Sequence, residues 1–529
     1  MGTKPVRASL VNLVRASLAI GIVAIPDIGC RGSTSPPFSG PYDGQLDTPV
    51  VADAYTGPDP TITVGAADRI LLHGTIVSPE VVIDGELLVE GNVITCVAPD
   101  TGCDAMPGAT GATIIDTKGI IAPGLIDTHN HILFDVFDND DWGPAQLYQD
   151  HDQWPAEAKY MAMLDVKQCI VDDSQGKPAW CAMTAYGTAA GSLRCEVDKW
   201  GELKGLIAGT TSIVGLAGTT AACFGSLARS IDAAQNGLGQ DKIQTSALFP
   251  PSDPSTVCAN FTTGKTDAYL VHVGEGDDAK AAGELAQLGT ITTPPNCLYA
   301  PQTAITHGIA FTAADFATMA TAGMKLIWSP RSNVTLYGVT ADIPTALDAG
   351  VTVAIAPDWS MGGSPNLLDE LRFAQQWSHD HWADRLTARD LVVMATRHAA
   401  QVLALDDTLG QVSVGHRADL SVYAGDPADP YGAILAAHPS QVRLTIVDGV
   451  VLYGDAVLEP AGPVAPGCET FDACGTSKFL CVATTDTASK LNQTYAQIKA
   501  ALDQAMTDAD TLSGTGYLFS PLTPLVACP

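Results

Sequence analysis

An apolar stretch ending in a histidine or an acid recurs along this chain, and the recurrence restricts its fold more than any other feature. Ile120-Ile-Ala-Pro-Gly-Leu-Ile-Asp-Thr-His-Asn-His131 ends in His129 and His131, and Ala268-Tyr-Leu-Val-His272 ends in His272 with Glu275 just beyond. Thr303-Ala-Ile-Thr-His307 ends in His307, and Val351-Thr-Val-Ala-Ile-Ala-Pro-Asp358 ends in Asp358. Each reads as a buried strand, and strand alternation sends the imidazoles of His129 and His131 to one side. Helical stretches separate the units. A (β/α)8 barrel is the architecture that gathers such strand ends at one mouth, so the spacing predicts a single shared site in an α/β fold.

The donor types carry chemistry of their own. A His-x-His pair alone is weak, because metal geometry decides. Three imidazoles and one carboxylate, from His129, His131, His272 and Asp358, suit zinc or ferrous iron and leave room for a solvent ligand.

Taken in order, these motifs resemble the amidohydrolase superfamily, in particular its mononuclear branch of cytosine, adenosylhomocysteine and guanine deaminases and chlorotriazine hydrolases. The likeness runs from about residue 65 to 460. His129-Asn-His131 fits the strand-one metal pair, His272-Val-Gly-Glu275 the His-x-x-Glu motif, and His307 the next catalytic histidine. Ser329-Pro-Arg-Ser-Asn333 resembles Cys-Pro-x-Ser-Asn, and Asp358 fits the last-strand aspartate. The resemblance implies a TIM-like barrel beside a β-sandwich assembled from both flanking segments.

It also implies one divalent ion, zinc or Fe(II), held by His129, His131, His272 and Asp358. A second would need a carboxylated lysine or a glutamate ending strand four. The candidate strand Ile243–Phe249 ends in Leu-Phe-Pro, with Lys242 at its wrong end. Implied roles follow: the metal-bound hydroxide attacks an electrophilic carbon, Asp358 takes the water's proton, His307 orients the hydroxide, and Glu275 protonates a ring nitrogen or leaving group. Arg331, Asn333 and Trp359 are candidate substrate contacts. Trp328-Ser329 in place of the usual Cys, and Trp359 where small residues commonly follow the aspartate, leave the substrate open.

Composition fits a large folded chain. Hydrophobic residues make up 46% and charged residues 16% of the 529 residues, enough for an extensive core. The net charge of −31 disfavours nucleic acid and anionic membrane surfaces as partners. A homo-oligomer stays open, with no interface legible. Lys4, Arg7 and Arg15 precede the apolar run Ala16–Ile25, which is too short to span a bilayer but suits a secretory signal. Ile28-Gly-Cys30 resembles a bacterial lipoprotein signal, with Asp27 against the motif, so lipid anchoring at Cys30 and ordinary cleavage both stay open. Export to the cell envelope, or secretion, is the expectation. The 13 cysteines leave twelve once Cys30 is set aside, compatible with disulfides in an oxidising space.

The expected organisation is a signal at 1–30, a Pro/Gly-rich linker at 31–60, a composite β-sandwich at 61–118 and 406–460, the barrel at 119–405 and a Cys-containing extension at 461–529. Within the barrel, Gly209–Val214 reads as strand two, Met324–Trp328 as strand seven and Thr387–Leu405 as a closing helix; strand three is poorly marked. The insertion at roughly 135–200 holds Trp142, Tyr148, Trp154, Tyr160, Trp180, Tyr186 and Trp200, which suit either a stacking wall or the insertion's own core. His151 in that insertion is the one further histidine held open as functional. Leu491, Tyr495, Ile498 and Leu502 predict an amphipathic helix. Three functions remain: hydrolytic deamination of an amino-heterocycle, cyclic amide or imidazolone-type ring hydrolysis on the same metal, and a non-catalytic ligand-binding surface lipoprotein.

Overall fold

The computed structural model describes residues 57–528 apart from 79–80, 172–175, 216–226, 233–236, 240 and 527. The expected signal, Cys30 and most of the linker lie outside the described residues. Eight short parallel strands run in chain order among those described: Leu125–Asp127, Thr210–Ile213, Arg229–Ser230, Ile243–Ser246, Ala268–Val273, Thr303–His307, Lys325–Trp328 and Val353–Ile355. The first three pair side by side, as do the last five. A parallel bridge between Asn130 and Asp358 brings the ends of the first and eighth together. The strands are almost wholly buried, as parallel strands covered on both faces must be, and helices such as Arg194–Leu206, Ala279–Leu288 and Ala313–Ala322 alternate with them.

The run expected as one strand before His129 is two. Ala112–Pro123 belongs to the flanking sheet, where Ile120–Pro123 pair with Leu420–Tyr423, and only Leu125–Asp127 enters the barrel. Gly124 is the joint. A β-carbon there would fall 2.2 Å from the side chain of buried Thr211, so the crossing requires glycine. The closing helix also divides, into Ala388–Met394 and Arg397–Val402, because Thr396 leaves helical geometry and turns its hydroxyl back to the Val392 carbonyl. At the start of this pair, Thr387 and Asp390 form a capping box.

The flanking unit is one ten-stranded sheet. Five strands come from 61–123, three from Leu420–Tyr423, Val442–Val447 and Val450–Asp455, and two, Glu469–Ala473 and Thr476–Leu480, from the C-terminal extension. Leu72, Leu87 and Ile121 from the first group share a single apolar core with Leu420, Leu444 and Phe479 from the others. The two expected sandwich layers are therefore halves of a single sheet curled round that core. Arg229, its side chain 4% exposed, clips the barrel to this sheet through a two-pronged contact with Asp419 at 2.9 and 3.0 Å and a further bond to Asp448.

The extension then forms a helix, Tyr495–Leu512, burying Ile498, Leu502, Ala505, Met506 and Ala509; Leu491 lies in the turn before it. This helix grips the insertion: Tyr495 stacks on Trp200 at 6.1 Å, Tyr186 reaches Asp508, and Lys490 pairs with buried Glu196 at 2.7 Å. Disulfides join Cys96 to Cys103, Cys169 to Cys181, Cys258 to Cys297, Cys468 to Cys481 and Cys474 to Cys528, and Cys195 is disulfide-bonded too. No helix among the described residues is long and apolar enough to cross a membrane.

Gly124→Val should destabilise the protein by about 1–3 kcal/mol, the usual cost of overfilling a packed site. Denaturant unfolding of the purified variant measures it, and wild-type stability would contradict the role given to this joint.

Candidate active site

Three strand ends deliver His129 with His131, His272 and Asp358 to one point, where one ligand atom from each lies within 4.8 Å of the others. Nε2 of His129 and Nε2 of His131 lie 2.8 and 3.5 Å from the same Asp358 Oδ1. The local backbone aims them. Asp127 accepts the His129 amide and the Asn130 side chain, fixing the turn that carries the pair. The His272 ring offers Nδ1 to the Ser246 carbonyl at 3.1 Å, which leaves Nε2 for a ligand. Asp358 and His307 hold left-handed backbone, with φ of 72° and 75°, a conformation that side chains rarely adopt and that concentrates at functional sites.

Burial sets the charges. It pushes the His131 imidazole down to about 3 and His272 well below its ordinary value, with neighbouring histidines adding to the effect at His272, so both rings are neutral. Burial alone would raise the Asp358 carboxyl, but the contact with His129 above all, then those with His307 and His131, outweighs it and holds Asp358 below the ordinary carboxylate range. Neutral imidazoles beside an ionised carboxylate are the donor state that zinc or ferrous iron takes, and this set fits a single divalent ion. Strand Ile243–Ser246 supplies neither lysine nor glutamate to bridge a second.

Beside the four donors stands Glu275, 8% exposed, with Oε2 3.7 Å from His307 Nε2. His307 turns its other nitrogen, Nδ1, to Asn333 Oδ1 at 2.9 Å, while Asn333 donates to Thr340. Asn333, a candidate substrate contact, holds His307 through this bond. An amide oxygen only accepts, so His307 donates through Nδ1 and turns Nε2 to the site. Arg331 is not brought into the cluster: its amide meets Glu370 and its guanidinium lies over Phe373, because the helix Pro330–Tyr337 turns it toward the neighbouring helix Leu367–Trp382.

Trp359 does line the site, its ring 5.5 Å from that of His131. Phe134, Trp142, Trp154 and Tyr160 pack round Trp359 with centroids 5.3–6.5 Å away, whereas Tyr186 and Trp200 turn to the C-terminal helix. The insertion's rings thus divide between a cluster behind Trp359 and the contact with the C-terminal helix. Its His151 lies by the Glu275 carbonyl at 3.4 Å, outside the four-donor group. The other histidines make local contacts, His73 with Glu86, His379 with Asp384 and His398 with the Val353 carbonyl.

Tyr337 was not anticipated. Its hydroxyl donates to Glu275 Oε1 at 2.7 Å and lies 3.1 Å from Trp154 Nε1. The signal was present, since Asn333 and Tyr337 are one helical turn apart and share a face, but nothing in the sequence gave that face a direction.

A parallel eight-stranded barrel among the described residues, with histidine and carboxylate donors at its strand ends, defines the class, a barrel with a candidate metal site. A model of the amidohydrolase family matches residues 268–452. The chain is 26% identical over 427 residues to the 5-methylthioadenosine/S-adenosylhomocysteine deaminase of Haloarcula marismortui, covering 74% of this chain and 94% of that one. It is 24% identical over 422 residues to the 5'-deoxyadenosine deaminase of Methanosarcina mazei, 70% of this chain and 88% of that protein. In fold it is similar to the zinc complex of atrazine chlorohydrolase TrzN from Arthrobacter aurescens, with a TM-score of 0.53 and 18% identity over 75% of this chain and 96% of that one. The chain is thus similar to the amidohydrolase family over residues 268–452 and to these two deaminases over 74% and 70% of its length.

Metal-saturated protein should contain about one equivalent of zinc or iron by elemental analysis, and His272→Ala should lose it while Asn333→Ala keeps it. Two tightly held equivalents would contradict the ligand count.

Proposed function

We propose that this protein is a metal-dependent hydrolase that deaminates a small, flat amino-heterocycle, with one ion, zinc in preference to Fe(II), held by His129, His131, His272 and Asp358. The observation that carries this reading is the placement of the Glu275 carboxylate beside His307 and the four donors. The deaminase relatives support loss of ammonia over ring opening. When bound, a divalent ion supplies a nucleophile from water at neutral pH by lowering the water's pKa to about 7.

The chain's own groups do the rest. Trp359 and the rings behind it offer a planar, apolar wall against which a heterocycle stacks. His307, through Nε2, orients the attacking water, and ionised Asp358 takes its proton. Glu275 delivers a proton to the ring nitrogen next to the carbon under attack, so charge does not accumulate as that carbon becomes tetrahedral. Asp358 then protonates the departing amine, and the new hydroxyl proton returns to Glu275 as the carbonyl forms. Ammonia leaves, and both carboxyl groups regain their starting states.

Glu275→Gln should retain metal and lose about 100-fold to 10,000-fold in turnover, the usual contribution of acid–base catalysis. The assay is ammonia release from a panel of amino-heterocycles beginning with 5-methylthioadenosine. Near-normal turnover by the variant overturns the role of Glu275; ring-opened product without ammonia from the wild-type enzyme overturns the deaminase reading.

We further infer that the enzyme works outside the cytoplasm, anchored or soluble beyond the inner membrane. The apolar run at Ala16–Ile25 and the bonded cysteines support this, since such bonds persist in oxidising compartments. N-terminal sequencing should place the mature start near Cys30, and active cytoplasmic protein retaining Met1 would overturn it.

A further inference from the structure

The insertion touches the catalytic side of the molecule at more places than a covering loop requires. Asp150 forms an antiparallel bridge with Gly276, Asp277 donates its amide to the Gln149 carbonyl at 2.9 Å, and His151 lies by the Glu275 carbonyl. The segment that carries Glu275 is thus paired, backbone to backbone, with the insertion. The side chain is held from the same quarter: Glu275 Oε1 meets the Tyr337 hydroxyl, and that hydroxyl meets Trp154 Nε1.

The direction of these bonds follows from the donors available. An indole N–H can only donate, so the Tyr337 oxygen accepts from Trp154. Its single proton is then free for Glu275, which accepts it on Oε1. Tyr337 is 3% exposed, and burial followed by the adjacent Glu275 charge raises its phenol well above the ordinary value. It therefore acts as a donor throughout the neutral range. With Oε1 engaged, the oxygen left to carry a mobile proton is Oε2, which lies toward His307 and the donor cluster.

We propose that Tyr337 is a positioning residue for Glu275, fixing Oε2 as the oxygen that transfers the proton, and that Trp154 of the insertion sets the direction of the Tyr337 hydroxyl. This rests on the reading of Glu275 as the proton donor. It makes the insertion part of the acid's setting as well as of the pocket wall, because Trp154 also packs on Trp359 at 5.3 Å.

A double-mutant cycle tests it, run on the panel heterocycle turned over fastest, with 5-methylthioadenosine tried first. Tyr337→Phe keeps the ring and should lower kcat about tenfold to a hundredfold, the worth of a hydrogen bond to a charged group, with KM and metal content nearly unchanged. In a Glu275→Gln background the same substitution should change kcat by less than about twofold, because the residue acts only through that carboxylate. Trp154→Phe, which keeps an aromatic ring but removes the N–H, should lower kcat and be non-additive with Tyr337→Phe. Additive losses in either cycle would make these residues merely structural and overturn the proposal. So would a Tyr337→Phe enzyme with full kcat, while an inactive Glu275→Gln left the reading of Glu275 standing; an active Glu275→Gln would bring down both.

Discussion

The convergence of two histidines on one oxygen of buried Asp358 is the constraint to which the rest of the molecule answers. An ionised carboxylate that is 3% exposed is costly unless cationic or hydrogen-bonding partners surround it. Here His129 and His131 approach the same Oδ1, and two site residues accept left-handed backbone to bring this about. Isolated strands would not hold that conformation. It is over-determined by the barrel, where the bridge between Asn130 and Asp358 ties the first strand's end to the last, and the Asp358 carbonyl accepts the His131 amide at 2.7 Å.

A shell of buried polar contacts transmits this constraint outward. Ser360, two residues past Asp358, donates its amide to Asp135, and Lys204 reaches both the Ser360 hydroxyl and the Phe137 carbonyl. Lys204 is 2% exposed, and burial lowers its pKa while Asp135 works against that shift. These bonds join the loop after the eighth strand to the start of the insertion, and Phe519 of the extension packs edge-on to Phe137 at 5.7 Å. The extension therefore completes a frame around the insertion, and through it around Trp359.

What the sequence made legible was local. Strand followed by ligand is a pattern contained within a few residues, and four repetitions in order left one architecture able to use them. Strand three was obscure because it is only Arg229–Ser230, and its arginine is buried by pairing with Asp419 and Asp448, a tertiary fact that removes the apolar signature. The strands Glu469–Ala473 and Thr476–Leu480 were missed for a related reason: they extend a sheet whose other members lie earlier in the chain, so their pairing has no local sign. Arg331 and Asn333 share a helix, and only packing against Leu367–Trp382 determined that the amide faces His307 and the guanidinium faces Phe373.

Substrate choice and chemistry are carried by different parts of this arrangement. The four donors and His307 come from strand ends, whose positions the barrel fixes, whereas Trp359's neighbours Trp142, Trp154 and Tyr160 come from the insertion. Loops on a rigid scaffold accept sequence change more readily than strands do, so the pocket wall can alter without disturbing the donors. Glu275 is the point where the two parts meet. Its backbone follows a barrel strand, but the loop that bears it is paired with Asp150 and its carboxylate is reached through Tyr337 from Trp154. Changes that reshape the wall at Trp154 therefore also bear on proton transfer, which narrows the set of wall variants that leave turnover intact.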